Sequence, residues 1–206
     1  MKSQSSIFLL IFLLFSNAIS AQKSNFIKPG DNLIVKNIPS ISADISTEVR
    51  RYTESRSASA VDWHPSRREM LITTRFGNTA QLHYLKNQMG ARTQITFFEE
   101  PVGNATFEPN NGNYFIFTRD VGGNEFAQMF RYDMSDGRST LISDGGRSQN
   151  GNIRWNKAGN KILFSSTRRN GADRDFWIMN PMEPNSASLV MEVKGGGWNI
   201  NDWSAD

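Results

Sequence analysis

Cysteine is absent from this chain of 206 residues. That excludes a disulfide framework, a thiolate metal site, a cysteine nucleophile and a lipid-modified cysteine at a processed N-terminus. Histidine is nearly absent as well. His64 and His83 are the only two, too few for a histidine-rich metal site, and no cofactor is expected. No charge of one sign dominates: the formal net charge is +3. The arginine pairs at 50–51, 67–68 and 168–169 are scattered rather than gathered in a stripe, so no nucleic-acid surface is expected. Long apolar runs are missing too. A membrane span needs about 20 apolar residues, whereas the longest run, residues 7–15, has nine. No membrane span is expected.

That short run has a different use. Lys2 supplies a positive start, residues 7–15 (I-F-L-L-I-F-L-L-F) an apolar centre, and residues 16–21 (S-N-A-I-S-A) a small-residue end. This is the pattern of a secretory signal peptide. Residues 1–21 are predicted to be removed after Ala21, with Ser20 as the alternative cleavage point. The mature chain is then exported to a periplasm or the exterior. An exported protein without cysteine fits a bacterial compartment better than a disulfide-built ectodomain.

The remainder has a globular composition, with 38% hydrophobic and 21% charged residues. Residues 22–57 read as an N-terminal arm and lead-in. Leu33, Ile34 and Val35 suit a short strand. Ile41, Ile45, Val49 and Tyr52 recur at helical spacing, with Asp44 as a candidate cap and Glu48 inside. Ile45, Thr47 and Val49 also alternate, which leaves a strand open there.

From residue 58 onward the chain repeats itself. D-W-H-P occurs at 62–65, T-F-E-P at 106–109, R-W-N-K at 154–157 and D-W-S-A at 202–205. The anchors Trp63, Phe107, Trp155 and Trp203 are spaced 44, 48 and 48 residues apart. After each of the first three comes a turn, an apolar strand, a polar loop, a second strand, another turn and a closing segment. The predicted strands are 70–74 and 81–85 with a closing stretch at 92–97. The second unit has 114–118, 128–132 and 139–143; the third has 162–166, 175–179 and 189–193. A strand-built period of about 40–50 residues marks a β-propeller. A sandwich or jelly roll accounts for short strands, but not for one anchor, one turn and one loop recurring in fixed order. The fold class is therefore all-β. Residues 58–206 form an incomplete propeller of three four-stranded blades and the start of a fourth. Each anchor is expected to fill the wedge between neighbouring blades.

The unit resembles the TolB-like propeller repeat, W-S-P-D-G-K followed by an apolar strand. Three stretches take the likeness further: R-S-A-S-A-V-D-W-H-P-S-R-R-E-M-L-I-T-T-R-F-G (56–77), R-D-V-G-G-N-E-F-A-Q-M-F-R-Y-D (119–133) and S-S-T-R-R-N-G-A-D-R-D-F-W-I-M (165–179). Together they look like the N-terminal propeller of exported bacterial prolyl oligopeptidase family serine peptidases. The resemblance implies a propeller that admits short peptides to a C-terminal α/β-hydrolase domain carrying a Ser-Asp-His triad. That domain is the implied partner, and peptides are the implied substrates. The sequence departs from the family here, because no nucleophile elbow G-x-S-x-G occurs. The nearest string, Gly146-Arg147-Ser148-Gln149-Asn150-Gly151, has its second glycine one place late and reads as a turn. No catalytic residue is expected in the chain. The alternative function is a TolB-like periplasmic propeller that binds protein partners and has no catalytic domain.

The loop Asp120-Val121-Gly122-Gly123-Asn124-Glu125 is the candidate contact surface. Carboxylates facing a substrate cavity can hold a peptide ammonium group, since a cavity of low dielectric strengthens the pairing. Asp120, Asn124 and Glu125 are the residues proposed for contact. The same side chains also suit local turn bonds. Arg119, Asp120, Arg168, Arg169, Asp173, Arg174 and Asp175 are candidates for ion pairs between blades. Asp173-Arg174-Asp175 lacks the ligand count of a calcium loop.

Overall fold

The computed structural model describes residues 25–102 and 104–204. The predicted signal peptide lies outside the described residues. The chain divides into two units, residues 1–55 and 56–206.

In the first unit the helical spacing prevails. Helix α1 spans Ala43–Thr53. Its N-cap is Ser42, whose side chain accepts the Asp44 amide at 3.2 Å. The cap is thus two residues earlier than Asp44, which sits in the first turn and complements the helix dipole instead. An isolated bridge joins Phe26 to Ser42. Leu33, Ile34 and Val35 form no strand. Gly30 accepts the Leu33 amide and turns the chain at that point. Among the described residues no helix is long and apolar enough to cross a membrane.

The second unit is three four-stranded antiparallel sheets, each a simple meander. The first blade holds β1 (Ala58–Trp63), β2 (Met70–Thr74), β3 (Gln81–Leu85) and β4 (Thr93–Gln94). The second holds β5 (Ala105–Phe107), β6 (Tyr114–Arg119), β7 (Gln128–Asp133) and β8 (Ser139–Leu141). The third holds β9 (Asn150–Trp155), β10 (Ile162–Ser166), β11 (Asp175–Met179) and β12 (Ser188–Met191), with a 3-10 turn at Pro184–Ser186 before β12. These are the blades of an incomplete propeller.

The outermost strands are shorter than the sequence suggests, and hydroxyl groups explain two of them. Ile95 still donates to the Leu82 carbonyl, but the Leu82 amide turns to Thr96 Oγ1 at 2.8 Å. The second blade copies this, with Ile142 donating to Met129 and the Met129 amide bonding Ser143 Oγ at 3.0 Å. A side-chain oxygen replaces the backbone ladder, and the strand ends there.

Period-2 alternation assigns each blade two apolar faces. In β6, Phe115 and Phe117 enter one core with Leu71, Leu82 and Tyr84 of the first blade. Ile116, between them, enters another with Ile162, Phe164 and Met179 of the third. Every one of these side chains is at most 5% exposed. Burying such a side chain stabilises by roughly 1.5–3 kcal/mol, so the two seams carry most of the packing energy. Pairing sets the parity: Trp63 faces Met70, Phe107 faces Phe115 and Trp155 faces Ile162. The second unit therefore has one more residue between anchor and partner than the other two. The extra residue sits in the turn, where the buried Glu108 carboxylate accepts the amides of Asn110, Asn111 and Gly112.

Beyond β12, Ile200 is 3% exposed. Arg154 Nε donates to the Asn201 carbonyl, and Trp203 Nε1 donates to the Arg154 carbonyl at 3.1 Å. The fourth anchor is thus tied to the inner strand of the third blade.

Candidate functional site

Loops gather at one end of each blade, and a repeated side chain brings them there. The first residue of the third strand is Gln81, Gln128 or Asp175, each buried. Gln81 Nε2 donates to the carbonyls of Phe98 and Glu100, both at 2.9 Å. Gln128 Nε2 donates to Gly146 and Ser148, and its Oε1 accepts from Ser143 Oγ and the Gly145 amide. Asp175 Oδ1 accepts the Val193 amide at 3.0 Å. Each side chain pins the linker that leaves its blade beside the hairpin loop preceding its own strand. A rim of paired loops and linkers results. Gln81 and Gln128 do not stand out in the sequence, and Asp175 does so only as an ion-pair candidate, since a polar group opening a strand resembles an ordinary loop boundary. Their recurrence at one position of the repeat was the available signal.

The second-blade rim loop contains Asp120, Asn124 and Glu125. The structure brings the three together, and their roles differ. Asp120 Oδ2 accepts the Glu125 amide at 3.0 Å. Asn124 Oδ1 accepts the Phe126 amide at 2.9 Å. Both are used in shaping the turn. Gly122 and Gly123 take φ of 64° and 69°, and Glu125 itself takes 63°. The left-handed region is uncommon for a residue with a side chain. The exposed Glu125 carboxylate forms no hydrogen bond or ion pair with another described residue, so it is the group available for a ligand.

Arg119 and Glu100 flank this loop. The Arg119 guanidinium lies over Phe98 at 4.2 Å and Phe130 at 4.8 Å. Its Nη1 meets Glu100 Oε2 at 3.4 Å and donates to the Asp120 carbonyl at 3.2 Å. The expected ion pairs divide into two kinds. Arg168 and Asp144, 3.8 Å apart, join the third blade to the linker before it. Arg169 stays within the third blade, bonding Asp175 at 2.6 Å and Asp173 at 3.3 Å. The Arg169 hydrogen bond holds the Asp175 carboxyl below the usual carboxylate range despite its burial.

The anchors occupy different surroundings. Phe107 is 2% exposed within the first core, and Trp155 packs on the second core and on Tyr114. Trp63 is 62% exposed, because its face of β1 points away from the second blade and is met by no other blade among the described residues. The wedge-filling expected of every anchor is therefore not its role here.

Neither histidine meets Ser148. His64 Nδ1 accepts the amides of Ser66 and Arg67 and so builds the first anchor turn. Gly112 lies against its ring with φ 65°, a place with no room for a Cβ. His83 is 1% exposed, with Nδ1 at 3.0 Å from the Gln81 carbonyl. Ser148 is buried and donates to Asp144 at 2.5 Å. No Ser-His pair forms among the described residues.

The scan against protein families returns no match, and neither does the comparison with curated proteins. Solved structures do match. A putative TolB from Agrobacterium tumefaciens is 16% identical with a TM-score of 0.57, over 73% of this chain and 55% of that one. TolB from Acinetobacter baumannii is 19% identical with a TM-score of 0.55, over 73% of this chain and 36% of that one. The chain spans about half or less of the length of these structures. At such identities the likeness establishes the fold, a TolB-like propeller.

Proposed function

We propose that this chain is the substrate-gating propeller of an exported serine peptidase resembling the prolyl oligopeptidase family. It has no hydrolytic activity of its own and receives the ammonium end of a peptide at the second-blade rim loop. The observation that carries this reading is the Glu125 carboxylate, presented on a loop whose other polar groups are engaged in holding its shape. The likeness of residues 56–77, 119–133 and 165–179 to such peptidases supports it. An ammonium–carboxylate contact at an open rim is worth about 1 kcal/mol or less, and more if a second domain closes over it.

Titration of the chain, and of a form extended through any downstream hydrolase domain, with short peptides tests the proposal. Peptides with free N-termini should bind, and acetylated ones should bind several-fold more weakly. Glu125→Gln should abolish that preference. Equal binding of both peptides, unchanged by Glu125→Gln, would overturn the reading. The second reading is an exported TolB-like propeller, periplasmic, that binds protein partners without a hydrolase domain. The two solved TolB structures favour it through the shared fold. A reading frame past residue 206 that adds blades and then stops, without G-x-S-x-G, would select it.

A further inference from the structure

We infer that Glu100 is a positioning residue, a latch that crosses from the linker of the first blade to hold the rim loop of the second. Its backbone is fixed first. Gln81 clasps the carbonyls of Phe98 and Glu100 and secures this linker to the first blade. The side chain then reaches across the seam. Oε1 accepts the Gly122 amide at 2.6 Å, and Oε2 meets Arg119 Nη1 at 3.4 Å. Short bonds to an ionised acceptor are the strong ones. The Gly122 amide in turn holds the Glu100 carboxyl below the ordinary carboxylate range, so the charged form is present at neutral pH.

The loop needs such a hold. Gly122 and Gly123 place two residues of wide conformational freedom side by side. Their ideal Cβ positions meet nothing within 4 Å, so packing does not restrain them. Asp120 and Asn124 tie only the C-terminal half of the turn, at Glu125 and Phe126. Glu100 ties the N-terminal half. Arg119 completes the arrangement. Stacked between Phe98 of the linker and Phe130 of β7, it sets the reach of the Glu100 side chain and bonds the Asp120 carbonyl. The third blade has a different arrangement, in which loop residue Asp173 accepts the Gly195 amide of its own outgoing linker. Across the second seam Arg168 of the third rim loop lies 3.8 Å from Asp144 of the preceding linker, an ion pair beyond hydrogen-bond distance, whereas Glu100 accepts a loop amide directly. The orientation of Glu125 is therefore coupled to the first seam. Its consequence for peptide capture rests on the function proposed above; the latch itself does not.

Hydrogen exchange on the full chain, read amide by amide, tests the latch in Glu100→Gln and Glu100→Ala. Loss of a hydrogen bond to a charged acceptor should speed exchange at Gly122 through Glu125 by about tenfold in Glu100→Gln, and by more in Glu100→Ala. The amides of β6 and β7 should keep their protection, which also shows that the blade is folded. Unchanged loop exchange in both variants would overturn the inference, as would a uniform rise across the second blade. Peptide binding by the same variants separates the two claims. Faster loop exchange with undiminished preference for free N-termini keeps the latch and removes its link to recognition.

Discussion

His64 shows how one side chain can be structural in one protonation state only. Its Nδ1 must be unprotonated to accept the Ser66 and Arg67 amides. Burial, then the neighbouring Arg67, lowers its pKa from the usual value. The folded chain therefore binds the proton less readily than the unfolded chain, whose histidine titrates near 6.5. The stability His64 contributes is complete above about pH 6.5 and falls as the pH drops below that value toward the lowered one. Urea unfolding at a series of pH values from 7.5 to 5 checks this, with His64→Asn as the comparison. Asparagine keeps an acceptor in the turn and does not titrate. The wild type should lose stability relative to the variant on acidification; parallel curves would refute the assignment. The sequence showed that His64 lies in a turn beside Pro65. It did not show which nitrogen the turn uses or that Gly112, 48 residues away, leaves room for the ring.

At the scale of elements, the middle strands were legible and the blade faces were not. Met70–Thr74, Gln81–Leu85, Ile162–Ser166 and Asp175–Met179 fall where β-rich runs between turn residues predict them. Which side of a strand meets which neighbour depends on pairing, and pairing is a long-range property. So Phe115 and Ile116 read alike in sequence yet belong to different cores. The outer strands of the first two blades end earlier than their sequence predicts because Thr96 and Ser143 accept ladder bonds through their side chains. In the candidate site, the loop holding Asp120, Asn124 and Glu125 was visible from its two glycines and polar residues. The Glu100 contact was not, since it joins residues 22 apart across a seam. The recurring glutamine is testable at this scale. Gln128→Ala removes six hydrogen bonds, to Phe126, Gly146, Ser148, Ser143, Gly145 and Asn150. It should cost about 2–3 kcal/mol by leaving buried partners unpaired. The exposed Gln88→Ala should stay within about 0.5 kcal/mol. Chemical denaturation measures both, and equal stabilities would show that the clasp is dispensable.

At the scale of the three-blade unit, the seams among the described residues are closed between blades, and no further blade meets the first blade's outward face. Trp63, Met70, Leu85 and Met89 line a cavity of about 870 Å³ there, with Trp63 at 62% and Met89 at 99% exposure. In the other two blades, residues at the Met70 and Leu85 positions are covered by the blade before. Three blades do not make a ring of four to eight, and an apolar face left open favours association. Sedimentation velocity on the isolated chain should show mass rising with concentration, and Trp63→Arg should reduce it. A monodisperse monomer with a sharp cooperative melt would contradict this expectation.

The extra residue between Phe107 and Phe115 matters to anyone who wishes to move blades between proteins. Counting a fixed number of positions from each anchor would match Tyr114 with Met70 and Ile162, and so shift the second blade by one. A graft cut on that alignment would present Tyr114 and Ile116 where Phe115 and Phe117 belong and mismatch both seams at once. Cutting at the ladder partners instead, and transplanting the turn with its Glu108 carboxylate intact, preserves the blade as an exchangeable module.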